Sequence, residues 1–352
     1  MTCAGLLSER HGVEWLLLTD ERAARGLSSM WPSGLAAIGL KVNEVLVRKA
    51  LPGGIGRQFW VHWQLPSVLR RWRPDLLMTT GGIFTSHTPC PQCAWMTVPA
   101  PALTTSNARN HLRGANALFT FSEKEKWRLI EKDPDKAPGA KERIFVIRPA
   151  ADPSFQPLAP AEREKEKSDH ANGMEYFLAV ISGASPEELI GLLKAFSLFK
   201  KRQRSNLQLI LTGADATGRL SSTGRIDSYV YRSSVHAIDD PSGGLLPRLM
   251  AAAYAYVSPF GRDTAGADLL NAWATGTPVI AAMDGPSQEL GPDAILPMDP
   301  REPASLAAQL MRVFTNEEER SALVRKAAAR LRSYDRDRTA GCLWEGILRA
   351  KG

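Results

Sequence analysis

The sequence has few of the features that mark secreted or membrane-spanning proteins. No uninterrupted apolar run approaches the roughly 18 residues that cross a bilayer. The first residues lack a basic segment followed by a long apolar stretch. Only four of the 352 residues are cysteine, which fits a reducing compartment better than a disulfide scaffold. We therefore expect a cytoplasmic protein.

Residues with metal-ligand spacing are also scarce. Cys90 and Cys93 form a CPQC pair, the spacing of redox dithiols and of half a zinc site. No second CxxC and no nearby histidine pair completes a ligand set, and the six histidines lie far apart. We expect no metal site and interpret the two cysteines as incidental thiols in a loop.

The charge of the chain is predominantly positive. It has 44 lysines and arginines against 37 aspartates and glutamates, a formal net charge of +7. This balance favours anionic partners such as nucleotides, phosphates, nucleic acid or acidic lipid surfaces. The basic residues form no recognisable nucleic-acid module, and no GxGxxG follows a strand, so neither a nucleic-acid partner nor a nicotinamide cofactor is expected.

Residues 57–74 combine aromatic and basic side chains. Three tryptophans (Trp60, Trp63 and Trp72) alternate with four arginines (Arg57, Arg70, Arg71 and Arg73). Such a stretch can contact an anionic membrane surface, which would place the protein peripherally at the membrane's inner face. A half-buried helix with a solvated basic face explains the same pattern.

Short apolar runs alternate with helical patterns along the whole chain. Buried parallel strands are predicted at 14–20, 75–80, 176–181, 207–212, 228–238 and 277–283, and one more begins the stretch 143–158 before prolines end it. A helix capped by Ser122 and Glu125 follows a strand, and 245–260 indicates a helix leading into a strand. Leu189, Leu192, Leu193, Phe196 and Phe199 predict one buried helix face, and two helices are expected between Pro303 and Ala350. The fold class is therefore α/β, with two Rossmann-like, doubly wound domains facing each other across a cleft.

Composition also predicts the boundaries of the two domains. The stretch 159–173 is charged and has no apolar periodicity, so we expect a linker there. Residues 1–158 and 174–335 would be the two domains, and 336–352 a helix packing back on the first. The first residues look like a helix, so the opening strand of the first domain is expected to be missing.

A short loop at 261–266, GRDTAG, precedes a predicted helix. Helix N-termini at the carboxyl ends of parallel strands favour anions, because their backbone N–H groups are free. Gly266 would let a phosphate approach the backbone closely, and Arg262 would add positive charge. Asp263 and Asn271 lie on either side of the helix start, where they can meet a ligand's hydroxyls. The simpler alternative is a strand-to-helix turn that Asp263 caps.

The run from 253 to 300 resembles family 4 glycosyltransferases of the GT-B fold. The family pattern has two glutamates separated by seven residues and then Gly-Thr-Pro-Val-Ile, which this chain carries at 276–280. Gly266, Glu289 and the LPMDP ending match as well. The resemblance extends upstream to about residue 57 and is stronger in the C-terminal half.

The resemblance implies sugar transfer from a nucleotide-diphosphate sugar to a glycan or lipid-linked acceptor in cell-surface polysaccharide assembly. It implies retention of anomeric configuration and no obligatory metal or other cofactor. By this resemblance the backbone from Thr264 through Ala265 to Gly266 would hold phosphate. Asp263 would be the catalytic residue facing the sugar, Asn271 would bond the ribose, and Arg262 would supply a cation.

Some positions depart from that family pattern. Asp263 and Asn271 replace the two glutamates, and 94–110 offers no histidine for the acceptor. Pro186, Glu187 and Glu188 stand where the family carries the cations that hold the diphosphate. Two carboxylates there would repel a diphosphate. The alternative is an inactive relative that binds or scaffolds a protein partner, for example an active glycosyltransferase.

Overall fold

The computed structural model divides the chain into two compact units. One comprises Met1–Pro149 and Arg336–Gly352, and the other Ala150–Asp335. The structure describes residues 12–20, 42–48, 60–80, 88–96, 114–131, 139, 141–240, 243–260, 266–283 and 286–352. The prediction that the opening strand is missing falls on the first residues of the chain. Residues 1–11 lie outside the described residues.

The first unit is built on parallel strands. β1 (Trp15–Asp20) pairs with β2 (Val42–Arg48). Four further strands form a parallel sheet in the order β3-β4-β5-β6, namely β3 (Leu77–Thr80), β4 (Gln92–Trp95), β5 (Ala117–Thr120) and β6 (Ile144–Val146). β1, β3 and β6 lie in predicted apolar runs and β5 is the strand predicted before Ser122, whereas β2 and β4 were not predicted. Cys93 lies in β4, and not in a loop as expected, because its side chain belongs to the core of this unit.

Helices cover both faces of this four-stranded sheet. A π-helical turn (Trp60–Gln64) leads into α1 (Leu65–Trp72), and α2 (Glu123–Glu131) connects β5 to β6. The predicted cap of α2 is confirmed, since the hydroxyl of Ser122 accepts a hydrogen bond from the amide of Glu125 at 3.2 Å. α11 (Arg336–Lys351) covers the face that carries Cys93 and Phe119. Gly346 lies so close to Phe119 that a Cβ there would be 2.5 Å from the ring.

The second unit is a six-stranded parallel sheet in the order β12-β11-β10-β7-β8-β9. Its strands are β7 (Tyr176–Val180), β8 (Gln208–Gly213), β9 (Val235–Asp239), β10 (Ala255–Ser258), β11 (Val279–Ala282) and β12 (Ile295–Met298). Neighbouring residues of β7 are buried on opposite faces, Phe177 in one core and Leu178 in the other. A sheet covered on both faces explains why its strands are continuously apolar.

Eight helices are described in the second unit. They are α3 (Pro160–Ala171), α4 (Pro186–Gln203), α5 (Ala216–Ser222), α6 (Leu246–Ala252), α7 (Ala267–Ala274), α8 (Pro286–Leu290), α9 (Pro303–Thr315) and α10 (Glu317–Leu331). The predicted apolar face of α4 is confirmed, because all five of its residues are buried in one core. α9 packs beside α4 on that face, whereas α6 and α7 contribute to the other core.

The stretch 159–173 is a helix and not the expected linker. Its charged residues have partners outside the helix. Nζ of Lys167 donates to Glu175 at 2.6 Å, and the carboxylate of Glu166 accepts from Arg248 Nε at 2.6 Å. Ala171 is fully buried. Apolar periodicity is weak because ion pairs, and not a wide apolar stripe, hold α3 to the unit.

Two other predictions need correction. The strand expected at 228–238 is confined to Val235–Asp239, because the preceding residues form turns held by the hydroxyl of Tyr229 on the carbonyl of Leu193 at 2.8 Å. Three helices, and not two, lie between Pro303 and the C-terminus, since α9 and α10 are separated at Asn316, whose side chain caps α10. None of the described helices is both long and apolar enough to cross a membrane.

Candidate functional site

The strand order of the second unit places a topological switch between β7 and β10. β7 is the first strand of the sheet in sequence, and the chain crosses from β9 back to β10 on its other side. In open parallel sheets, ligands bind beyond the carboxyl ends of the strands at such a switch. The loops after β7, β8, β9 and β10 are therefore the place to look for a site.

One cavity, of about 270 Å³, lies at the carboxyl ends of β7, β8 and β9. Its lining includes Ser182, Thr212, Gly213, Ala214, Asp240 and Gly243. Gly213 has a φ of +132°, and a Cβ there would lie 2.3 Å from the hydroxyl oxygen of Ser182. Glycine at 213 thus allows two strand ends to approach each other closely.

Asp240 shapes the same cavity. Its carboxylate accepts hydrogen bonds from the amides of Leu245 and Leu246, both at 3.0 Å, and so satisfies donors at the start of α6. The sequence analysis did not select Ser182, Gly213 or Asp240. A glycine directly after an apolar strand, as in LILTG at 209–213, is the signal that points to such an edge.

The predicted loop is described only from its last residue. Arg262, Asp263, Thr264 and Ala265 lie outside the described residues. Gly266 precedes α7 in a left-handed conformation, with a φ of +75°, and its carbonyl accepts from the amide of Leu270 at 3.2 Å. The helix predicted to start near Ala267 therefore begins there, and glycine provides the backbone conformation that starts it.

Asn271 lies in α7 and is 8% exposed. Its Oδ1 accepts a hydrogen bond from the backbone amide of Asp152 at 2.8 Å, a contact between residues 119 positions apart. Among the described residues none accepts a hydrogen bond from its Nδ2. The side-chain oxygen of Asn271 thus holds the segment before α3, and its Nδ2 can still donate a hydrogen bond.

Pro186, Glu187 and Glu188, which depart from the family pattern, form the start of α4. The hydroxyl of Ser185 accepts from the amide of Glu188 at 3.3 Å, and the carboxylate of Glu188 accepts from the amide of Ser185 at 2.8 Å. This capping box is completed by Pro186 in the first turn of α4. Hydrogen bonds from its own backbone amide and from the side chain of Ser185 lower the pKa of Glu187. All three departures from the family pattern are therefore good helix-start residues.

A cation approaches the same turn from α5. Nη1 of Arg219 donates to the carbonyl of Ala184 at 3.3 Å, and the buried Nε of Arg219 has no hydrogen-bond partner within the described residues. The guanidinium therefore brings positive charge to the turn at Ala184, between β7 and α4. Arg219 was not among the residues predicted from the sequence, because none of the quoted family motifs includes it.

A second, larger cavity of about 490 Å³ opens between the starts of α4 and α9. Glu187 and Glu188 belong to its lining, as do Gly191, Lys194, Phe260 and Arg301. The first cavity is lined by the ends of β7, β8 and β9. The two carboxylates therefore face a different space from the one that Ser182 and Gly213 enclose.

Metal-ligand geometry is not found in the described part of the chain, where no group of three His, Cys, Asp or Glu residues is placed to hold an ion. Burial raises the pKa of the Cys93 thiol to about 12 and also raises that of Cys90. A thiol with a raised pKa is a poor nucleophile at neutral pH. Burial therefore leaves both thiols of the CPQC pair unactivated.

Comparison with known proteins finds a match to one family model and likenesses to one fold. Residues 161–330 match the model of glycosyl transferases group 1. The O-antigen chain mannosyltransferase B of Escherichia coli is 24% identical over 220 residues, which cover 61% of this chain and 55% of that protein. The match thus spans about half the length of that relative.

Solved structures resemble the whole chain. Anabaena HepE in complex with UDP and glucose is 16% identical, with a TM-score of 0.68 over 94% of this chain and 99% of that one. WaaG, a glycosyltransferase involved in lipopolysaccharide biosynthesis, is 18% identical, with a TM-score of 0.67 over 93% and 98%. An Escherichia coli structure described as trehalose-6-phosphate bound with UDP-2-fluoro glucose is 12% identical, with a TM-score of 0.71 over 99% and 95%. These likenesses confirm the predicted two-domain α/β fold of GT-B type.

Proposed function

We propose, since residues 161–330 match the model of glycosyl transferases group 1, that this protein transfers a sugar from a nucleotide-diphosphate sugar, with retention of anomeric configuration. The acceptor is a glycan or a lipid-linked glycan in cell-surface polysaccharide assembly. The observation that carries the proposal is the cavity at the carboxyl ends of β7, β8 and β9, next to the switch point of a sheet of this family.

The donor's parts fit different features of that edge. The nucleoside would occupy the cavity beside Ser182 and Gly213, with Asn271 Nδ2 donating to a ribose hydroxyl. The diphosphate would lie against the start of α7 at Gly266, where the helix dipole favours negative charge. Within the loop outside the described residues, Asp263 would face the sugar and Arg262 would add a cation.

Transfer needs stabilisation of the departing diphosphate. A metal is not required if oriented N–H groups and cationic side chains face the charge as it develops. The α7 start supplies the first, and Arg219, whose guanidinium reaches the carbonyl of Ala184, supplies the second. We therefore propose metal-independent transfer, in which Arg219 supplies the charge of the cations that Pro186, Glu187 and Glu188 replace.

The competing function is an inactive protein that binds a partner. It is favoured by the start of α4, where carboxylates occupy the positions of the family's cations. Such a protein would keep the GT-B fold but bind neither nucleotide nor nucleotide sugar.

Isothermal titration with UDP, GDP and their common sugar conjugates distinguishes the two. A transferase binds at least one of them with micromolar affinity, and Gly266→Trp abolishes that binding. The same change at Gly224 is the control and should leave binding intact: its φ is positive, as that of Gly266 is, and nothing lies within 4 Å of its Cβ position. Absence of heat at millimolar concentration with every nucleotide would refute the transferase proposal and leave the binding-protein function.

We also propose that the first unit contacts the membrane that carries a lipid-linked acceptor. α1 buries Leu65 and Leu69, while Trp63 is 73% exposed and Arg70 and Arg71 are exposed on the outer side. Tryptophan rings partition to the membrane interface, and arginines attract anionic headgroups. No acidic residue interrupts the stretch 57–74. This surface is therefore suited to an anionic bilayer.

Vesicle co-sedimentation tests the membrane contact. The protein should pellet with phosphatidylcholine vesicles containing phosphatidylglycerol, pellet less in high salt, and stay in solution with phosphatidylcholine alone. Trp63→Ser and Arg70→Gln/Arg71→Gln should weaken pelleting. A control variant, Lys201→Gln/Arg202→Gln, removes as much charge from exposed positions of the other unit. Equal loss of pelleting in the control variant would mean that net charge alone, and not this surface, is responsible.

A further inference from the structure

The cavity of about 490 Å³ between α4 and α9 has the size of a small-ligand site. It lies at the carboxyl edge of the second unit's sheet, between the start of α4 and the residues that lead from β12 into α9. It has no member in common with the lining of the cavity assigned above to the nucleoside. Its chemistry therefore has to be explained separately.

Gly191 leaves one wall of this cavity open. It lies in the interior of the 18-residue α4, and nothing is within 4 Å of the position a Cβ would take. Glycine in a helix interior is destabilising relative to alanine. No described neighbour requires this glycine by close contact, so its effect is to keep the helix surface accessible from the cavity.

The charges around the cavity nearly balance. Three carboxylates (Glu187, Glu188 and Glu302) are offset by two cations, Lys194 and Arg301. The carboxylate of Glu188 is held on the amide of Ser185. Neither cation forms an ion pair with a residue that the structure describes. A strongly anionic ligand would meet repulsion here, whereas a neutral ligand rich in hydroxyl groups can donate to the carboxylates and accept from the cations.

The floor of the cavity is apolar. Ile190, Phe260, Met298 and Leu306 contribute to it. Sugar rings present apolar C–H faces as well as hydroxyl edges, so a mixed surface of apolar floor and charged rim suits them. A ligand site of this kind combines a mostly apolar lining with a few polar groups that fix orientation.

We propose that this cavity binds a neutral oligosaccharide, at a subsite separate from the nucleotide site. The assignment of that oligosaccharide as the glycan that the protein extends rests on the proposed function. The subsite would hold the chain on the second unit through Lys194, Arg301 and Glu302, with a sugar ring over Gly191.

Ligand-observed NMR and calorimetry with mannotetraose, maltotetraose and cellotetraose test the subsite. At least one should bind the wild type. Gly191→Leu should weaken that binding by about tenfold or more by filling the open wall. The same variant should unfold at a higher temperature, because leucine is the better helix former. A variant that merely loses its fold would not show this rise.

Gly341→Leu is the matched control. Gly341 also lies inside a helix, α11, with nothing within 4 Å of its Cβ position, but it belongs to the first unit. It should bind oligosaccharide as the wild type does. Absence of binding by all three tetrasaccharides at millimolar concentration overturns the subsite, and so does wild-type binding by Gly191→Leu. Nucleotide titration separates the subsite proposal from the donor-site proposal. Nucleotide binding without oligosaccharide binding refutes the subsite alone. Oligosaccharide binding without nucleotide binding refutes the donor site alone.

Discussion

The side-chain oxygen of Asn271 accepts a hydrogen bond from the backbone amide of Asp152 at 2.8 Å. This contact ties α7, which begins at the proposed phosphate site, to the segment that enters the second unit. The residue proposed to bond the ribose therefore also helps to fix its own helix to the rest of the unit.

Substitutions of Asn271 separate these two roles. Asn271→Leu should lower the free energy of unfolding by about 1–3 kcal/mol, because the amide of Asp152 loses its acceptor. Asn271→Asp keeps an acceptor oxygen and should lose much less. Urea unfolding measures both. Equal stability of the leucine variant and the wild type would contradict a structural role for this bond.

Nucleotide affinity should depend on Arg219. Its guanidinium lies at the turn between β7 and α4, so Arg219→Gln should weaken the binding of UDP or GDP by about tenfold, through loss of a cation near the diphosphate. Binding of the corresponding nucleoside, which lacks phosphate, should not change. Calorimetry with each pair measures the difference. Arg225→Gln, a neutralised cation elsewhere in the second unit, is the control, and an equal loss in that variant would rule out a local effect.

The close approach of Gly213 and Ser182 should make position 213 intolerant of any side chain. In Gly213→Ala the new methyl group would meet Ser182 at a backbone angle that favours glycine, which lowers stability and closes the cavity. Gly224→Ala also introduces a methyl group at positive φ but into open space. Thermal unfolding should therefore show a clearly larger drop for the first variant, and similar drops would contradict the steric argument.

The pairing of Glu166 with Arg248 should stabilise the attachment of α3 to α6. Glu166 is buried and accepts from Arg248 Nε at 2.6 Å, so Arg248→Met leaves a buried carboxylate without its main partner. We expect a loss in the free energy of unfolding that is smaller than for a fully buried pair, because the guanidinium is partly exposed. Arg349→Met breaks an exposed pair with Glu345 and should cost under about 1 kcal/mol.

Stability should fall as the pH rises above about 9. Burial raises the pKa of Cys93 from 9.0 to about 12 in the folded state. Above pH 9 the unfolded thiol loses its proton while the folded one keeps it, so alkaline pH favours unfolding, by about 1.4 kcal/mol per pH unit for this group. Cys93→Ala should show a shallower decline in chemical unfolding between pH 9 and 11. An unchanged slope would show that this thiol is not responsible.

The parts of the fold that were predicted correctly depend on short-range sequence patterns. The Ser122 cap and the buried face of α4 depend on residues three or four positions apart, and both were found. Features that depend on contacts outside an element were not predicted. The stretch that forms α3 was predicted to be a linker because Lys167 and Glu166 bond residues outside the helix. The family motif placed the site at 261–271, whereas Ser182, Gly213 and Asp240 meet only when three strands align.

The discontinuity of the first unit has a consequence during synthesis. Residues 150–335 form a continuous unit whose core is complete once they have left the ribosome. The first unit cannot finish its core until Leu343 and Ile347 arrive to cover Phe119. The nascent N-terminal sheet therefore has to keep an apolar face uncovered while the whole second unit is translated, a period in which that face is exposed to aggregation.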